Sequence, residues 1–324
     1  MNYEEKLKEY FVKFEEFNRK TGGVIAPFKK DWQDGKRDKR HYQKYAILSN
    51  LEWCNQISKN AVTLYINHGM DCYYTIATQT RFVFEIGLNI QVIFLIPKLI
   101  ELNLNPYSES NAKNEYKLYK DYLKHKNKSH NEIIKELLFQ LLTFNIIADY
   151  RQRIYSEKRN DDAFHADREH NALSELKNNG RVKTEIRNMH KLNLEEEIHK
   201  VITKYHRYRS WDNCPFSAKC DFVNRGIAIL KGGSKKKFSI LNYVFENYSN
   251  AAHGTVLLHA NMFQKLTDDY KGFYCEEISN QILIITSTQK TVVEHYNRFF
   301  NENLGGEINK LNKLLNEIID LKNG

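Results

Sequence analysis

Apolar residues recur along most of the chain three and four positions apart, the spacing that lays one face of an α-helix against a core. From Tyr3 to Lys20 the stripe is Leu7, Tyr10, Phe11, Phe14 and Phe17, with charges outside it. TGGVIAPF follows, and its Gly22, Gly23 and Pro27 predict a break in the helix. KKDWQDGKRDKRHYQK then reads as a basic, solvated connector. Helical spacing resumes from Tyr42 to His68 on Ala46, Leu48, Leu51, Trp53, Ile57, Ala61, Leu64 and Ile66, with Gly69 as punctuation. A further long helix is predicted from Asp71 to Leu102, where Pro97 is placed to kink its end.

The second half continues in the same manner. Glu115–Lys128 and Asn131–Tyr155 read as a helical pair, the latter burying Leu137, Leu138, Leu141, Leu142, Ile146 and Ile147. Arg151 to Lys200 is polar and predicts exposed helices or a projecting arm. Ser239–Met262 reads as a buried helix that keeps a polar face, and the rest of the chain is organised around it. Tyr270–Asn301 contains the locally β-like ILIITST, yet a helix from about Ser279 is the better fit. The tail Glu307–Lys322 carries a clean stripe of Ile308, Leu311, Leu314, Leu315, Ile318 and Leu321. Helix follows helix with no alternating strands, so the expected class is all-α, a multi-helix bundle. The expected division is an N-terminal helix and connector over 1–41 and a main domain over 42–324, with 151–210 as a polar arm or insertion.

Composition agrees with this. Only 4 Pro and 14 Gly in 324 residues leave few breakers, and 41% hydrophobic residues supply a core. The formal net charge of +9 suits contact with nucleic acid. A composition rich in Lys, Asn, Ile and Tyr is the other source of that charge. Five cysteines with no CxxC pair predict structural thiols in a reducing cytoplasm. The charged, amphipathic N-terminus predicts no signal peptide. The most apolar run, Phe82–Ile96, is interrupted by Glu85, Asn89 and Gln91 and short for a bilayer, so no membrane span is expected.

Two polar ridges carry the candidate chemistry. Arg81, Glu85 and Asn89 lie at i, i+4 and i+8 on one apolar helix, and Glu246, Ser249, Asn250 and His253 share a side of another. Charges on apolar helices must be paired, which predicts that the two ridges face each other. Arg81 would bind an anion, Glu85 would act as acid, base or orienting group, and Ser249 and Glu246 would fix the tautomer of His253. The alternative is a structural ion pair and a hydrogen-bonded core histidine. A second candidate is RNDDAFH, in which Arg159 and His165 have five residues between them; Asp161, Asp162, His165 and His170 of DDAFHADREH also have metal-ligand chemistry. No metal or other cofactor is expected.

TRFVFE and YSNAAHG, with a connector around Trp211, resemble a family of bacterial helical proteins, the domain-of-unknown-function family 5677. The matching positions are Arg81, Glu85, Trp211, Tyr243, Tyr248, Ser249 and His253, over roughly 42–262. The resemblance implies that the two ridges belong to one site. The R-x4-6-H spacing of RNDDAFH and the helical style are similar to HEPN ribonucleases, which implies a metal-independent cut in RNA. The chain departs from HEPN where Tyr248 and Ser249 stand in place of an Arg. The expected function is a cytoplasmic, basic helical protein acting on RNA, a toxin or phage-defence ribonuclease, with Arg81, Glu85, Ser249 and His253 catalytic. Asn89, Glu246, Tyr248 and Asn250 would bind substrate. The alternative is a non-catalytic module that binds a protein partner, such as an antitoxin, or a ligand. The C-terminal stripe would suit a homodimer.

Overall fold

The computed structural model describes residues 3–106, 118, 123–207, 214–232, 244, 248 and 268–323. Among them are eleven α-helices, one 3-10 turn at Gly69–Cys72 and no strand. The chain is all-α, a multi-helix bundle. The helices are α1 (Tyr3–Gln33), α2 (Lys39–His68), α3 (Tyr73–Glu101), α4 (His130–Glu157), α5 (Asp162–Ala166), α6 (Arg168–Asn178), α7 (Gly180–His190), α8 (Glu195–His206), α9 (Phe216–Leu230), α10 (Asp268–Phe300) and α11 (Gly305–Asn323).

The break expected at TGGVIAPF does not occur. α1 runs through Gly22, Gly23 and Pro27 to Gln33, because Val24, Ile25 and Phe28 are all buried. Burying three such side chains is worth about 1.5–3 kcal/mol each. That offsets the roughly 1 kcal/mol per glycine and 3 kcal/mol for proline that helix propensity alone exacts. The expected basic connector shrinks to the turn before Asp38, whose carboxylate accepts from the His41 N–H at 2.8 Å and starts α2. ILIITST is helical, as expected, and α10 begins earlier than Ser279, at Asp268.

α3 is the axis of the bundle. It packs against α2, α4, α9 and α10, while α1 lies across α2, α10 and α11. Its Thr75–Glu101 stretch is long and apolar enough by composition to cross a membrane, which the interrupted run Phe82–Ile96 had not suggested; most of it is buried within the protein. Two glycines set how closely α3 is approached. A Cβ on Gly87 would stand 2.6 Å from Thr288 Cγ2 of α10, and one on Gly226 of α9 would stand 2.6 Å from Leu95 Cδ2. Thr288 is β-branched and buried, so it cannot turn aside cheaply. Gly87→Ala is therefore expected to destabilise despite the better helix propensity of Ala, overpacking costing about 1–3 kcal/mol. In a Thr288→Ser background, which removes Cγ2, the same change becomes neutral or stabilising. Urea midpoints of the four proteins test this, and equal effects in both backgrounds would refute the contact.

The polar 151–200 stretch forms short helices. Ile154, Phe164, Leu173, Leu176, Val182, Ile186, Ile198 and Ile202 close a small core of their own beneath α4. Few large apolar residues suffice there because α6, α7 and α8 are short and each spends one narrow stripe on it. Asn179 caps α7, accepting from the N–H groups of Arg181 and Val182 at 3.0 and 3.1 Å. Asp167 caps α6 through His170 N–H.

Candidate functional site

The α3 ridge faces α9, and the two helices run in the same direction. Phe216 lies beside Phe84, with ring centroids 6.2 Å apart, Lys219 beside Glu85, and Gly226 beside Leu95. Lys219 Nζ donates to Glu85 Oε1 at 3.0 Å. The side chain of Lys219 is 1% exposed and that of Glu85 is 28% exposed, so the ammonium is buried and its partner reaches water. The Arg81 guanidinium sits 5.0 Å over the Phe216 ring, a cation–π contact. Its Nε is buried without a hydrogen-bond partner, as is Asn89 Oδ1 one turn beyond Glu85. Among the described residues no carboxylate pairs with Arg81. Asp221 is taken by Arg225 at 2.6 Å. Burial, and then the charge of Glu85, push the Cys220 thiol up to about 12, so it stays a protonated thiol.

Lys219 was missed by pattern reading. Its signal was there: it occupies an apolar-face position of α9 among Phe216, Cys220, Phe222 and Val223, all buried. A lysine on that face must meet a carboxylate on the helix it packs against.

The facing ridge expected on Ser239–Met262 falls almost wholly outside the described residues, and so do Glu246, Ser249, Asn250 and His253, together with Trp211 and Tyr243 of the family resemblance. Tyr248 is described and fully buried, and Val244 with it; both join the core that holds Phe84, Leu88 and Phe216.

Arg159 and His165 come together, through backbone. The His165 Nε2–H donates to the Arg159 carbonyl at 3.1 Å, and Asp161 Oδ1 accepts from Phe164 N–H at 2.9 Å to start α5. Both the arginine and the histidine are exposed. The five-residue spacing thus closes a turn between α4 and α5. Among the described residues no group of three or more His, Cys, Asp or Glu could hold a metal ion. All five cysteines are buried and unbridged.

Comparison with family models, curated proteins and solved structures finds no match.

Proposed function

We propose that the protein acts on RNA, with Arg81 as the phosphate contact at the α3–α9 seam. The observation that supports this best is the charge balance of the cluster. Arg81, Lys219 and Arg225 stand against Glu85 and Asp221, and Arg81 is the cation left without an ion pair among the described residues. A partly exposed guanidinium held over an aromatic ring is oriented and keeps donors for phosphate oxygen. The overall charge of +9 adds long-range attraction for a polyanion. In this reading Glu85 holds Lys219 and is not itself the base, because Lys219 occupies its Oε1, while Phe216 orients Arg81. His253, with Ser249 to orient it, is the proposed general acid or base. Cleavage then uses the RNA 2′-hydroxyl as nucleophile and no metal.

The test is binding and cleavage of single-stranded RNA in EDTA by wild type, Arg81→Ala and His253→Ala. Arg81→Ala is expected to weaken binding about tenfold and to reduce the slope of log affinity against log salt by about one phosphate contact. His253→Ala is expected to stop cleavage and leave binding intact. Unchanged RNA affinity and salt slope in Arg81→Ala would overturn the proposal.

One observation favours a second reading, a non-catalytic module whose cluster is structural: Lys219 is too buried to touch substrate. In that case Arg81→Ala lowers the melting temperature and no RNA turnover is found. What the module binds is then a protein partner, such as an antitoxin, a second copy of the chain, or a ligand.

A further inference from the structure

A groove of about 610 Å³ opens between α2 and α4, with Ile86 of α3 in its lining. α2 contributes Tyr42, Tyr45, Ser49 and Trp53, three and four residues apart and so on one helical face. α4 answers with Leu142, Ile146 and Tyr150 at the same spacing. With Trp32, five lining side chains are aromatic, and each is a Trp or Tyr that carries a polar tip on an apolar body. Trp32 stacks on Tyr45 with centroids 4.3 Å apart and planes 9° apart, and the Arg37 guanidinium covers the indole at 3.6 Å. That end is a layered, fixed wall. Trp53 stands two helical turns further along α2, about 12 Å away at 1.5 Å per residue. It is 64% exposed and has no ring partner among the described residues.

The charges of the lining are already committed. Burial, then the carboxylates of Glu185 and Asp149, push the Tyr45 phenol up, which places both acids at the walled end. Asp149 pairs with Arg153 at 2.8 Å. Glu185 faces the Tyr42 phenol, which burial and that carboxylate push up to about 12. Arg153 is the one cation of the lining among the described residues. Uncharged donors are in better supply. Ser49 lies one turn from each aromatic end, and Asn145 of α4 lines the same groove. Neither side chain holds a hydrogen bond among the described residues.

We propose that this groove docks a proline-rich segment of a partner protein in the polyproline II conformation. Spacing is the first reason. Polyproline II rises about 3.1 Å per residue with three residues per turn, so prolines three to four positions apart reach the Tyr45 end and Trp53 together. Hydrogen bonding is the second. That conformation makes no internal hydrogen bonds and turns its carbonyls outward, and the Trp53 indole N–H, the Tyr150 hydroxyl, Ser49 and Asn145 are donors for them. An amphipathic α-helix has its backbone groups satisfied and would lay an apolar face against those donors. Charge is the third. A nucleic-acid strand needs free cations along its path, and the single lining cation is spent on Asp149. A preformed extended helix also loses little freedom on docking, so an open groove lined by aromatics suffices. The site is separate from the α3–α9 seam and does not rest on the RNA reading.

The test is calorimetric titration of the full chain with a polyproline peptide of about ten residues, a Gly-Ser peptide of the same length and an oligouridine. Polyproline is expected to bind saturably at sub-millimolar concentration and about tenfold tighter than the Gly-Ser peptide, which lacks the rings and the preformed helix. Its affinity is expected to change by less than about twofold with added salt, unlike that of a polyanion. Trp53→Ala, at an exposed position where misfolding is not expected, weakens polyproline about tenfold, and Trp53→Phe keeps most of the affinity. Ser49→Arg, which sets a long side chain between the two aromatic ends, abolishes binding at an unchanged melting temperature. Arg81→Ala binds polyproline as wild type does, so failure of this proposal and failure of the RNA reading are distinguishable. The proposal is overturned by the absence of saturable polyproline binding at millimolar concentration, by equal affinity for the two peptides, or by affinity indifferent to Trp53→Ala and Ser49→Arg. Oligouridine that binds tighter than polyproline, and loses affinity in Trp53→Ala, assigns the groove to nucleic acid and overturns it as well.

Discussion

Glu85→Leu is expected to be among the most damaging single substitutions in the chain, at about 3–5 kcal/mol. It leaves the Lys219 ammonium with its side chain 1% exposed and no counter-ion, the situation in which breaking a buried pair costs most. The reverse change should cost less. Lys219→Met leaves Glu85, whose side chain is 28% exposed, in reach of water and of Arg81 one turn away, so a loss of roughly 1–2 kcal/mol is expected. Met also fills the volume of the lysine stem among Phe216, Phe222 and Val223. The double variant Glu85→Leu/Lys219→Met removes both charges together and should return to near wild-type stability, as replaced buried pairs often do. Urea unfolding of the four proteins gives the coupling directly. Two equal single losses that simply add in the double variant would show that the pair is not coupled.

The same four proteins bear on function. A Glu85 whose task is to hold Lys219 in place is dispensable once Lys219 is gone. The double variant should then keep RNA affinity, because Arg81 remains. A Glu85 that moves a proton is not dispensable, and the double variant would fold and bind but not turn over.

The helical class was legible because one periodicity runs through nearly the whole chain, and it survived at ILIITST, where β-branched residues in a short window suggested otherwise. Boundaries were less legible for a reason seen at TGGVIAPF. Glycine and proline act locally, whereas the burial of Val24, Ile25 and Phe28 depends on helices that arrive hundreds of residues later, α10 and α11 among them. The 151–200 stretch shows the converse. Its sparse apolar residues suggest exposure until four short helices are seen to share one small core. At the site, the spacing of Arg81, Glu85 and Asn89 marked a ridge correctly as a face. The partner it meets among the described residues, Lys219, lies 134 positions away, and periodicity within a helix says nothing about which other helix it will meet.

Acid should loosen the fold between pH 6.5 and about 4, before most carboxylates titrate. Two histidines are responsible. His190 of α7 is packed edge-on against Phe139 with centroids 4.7 Å apart, and His295 of α10 stacks on Phe94 at 4.4 Å with planes 9° apart. Burial, and then the positive charges of Lys204 and Arg298 respectively, push both imidazoles down to about 4. The His190 Nε2 lies 3.2 Å from Thr143 Oγ1, whose own proton goes to the Phe139 carbonyl, so the ring donates from Nε2 while burial keeps it neutral. A folded-state pKa below the unfolded value of about 6.5 means that the unfolded chain binds more protons throughout that interval. The stabilisation is therefore complete above pH 6.5 and is lost as pH falls towards 4, by roughly 2–3 kcal/mol per histidine at most. His125 and His206 are shifted in the same direction by burial and add to the slope. Urea midpoints at half-unit steps from pH 7.5 to 5 should fall steadily below 6.5. His295→Phe keeps the stack on Phe94 without the titrating nitrogen, and His190→Gln keeps a donor for Thr143, so each should flatten the slope by its own share while leaving stability at pH 7.5 within about 1 kcal/mol of wild type. A slope that is the same in wild type and in the His190→Gln/His295→Phe protein would place the acid response elsewhere in the molecule. Because His190 joins α7 to α4 and His295 joins α10 to α3, partial flattening by each variant would apportion the acid response between these two contacts.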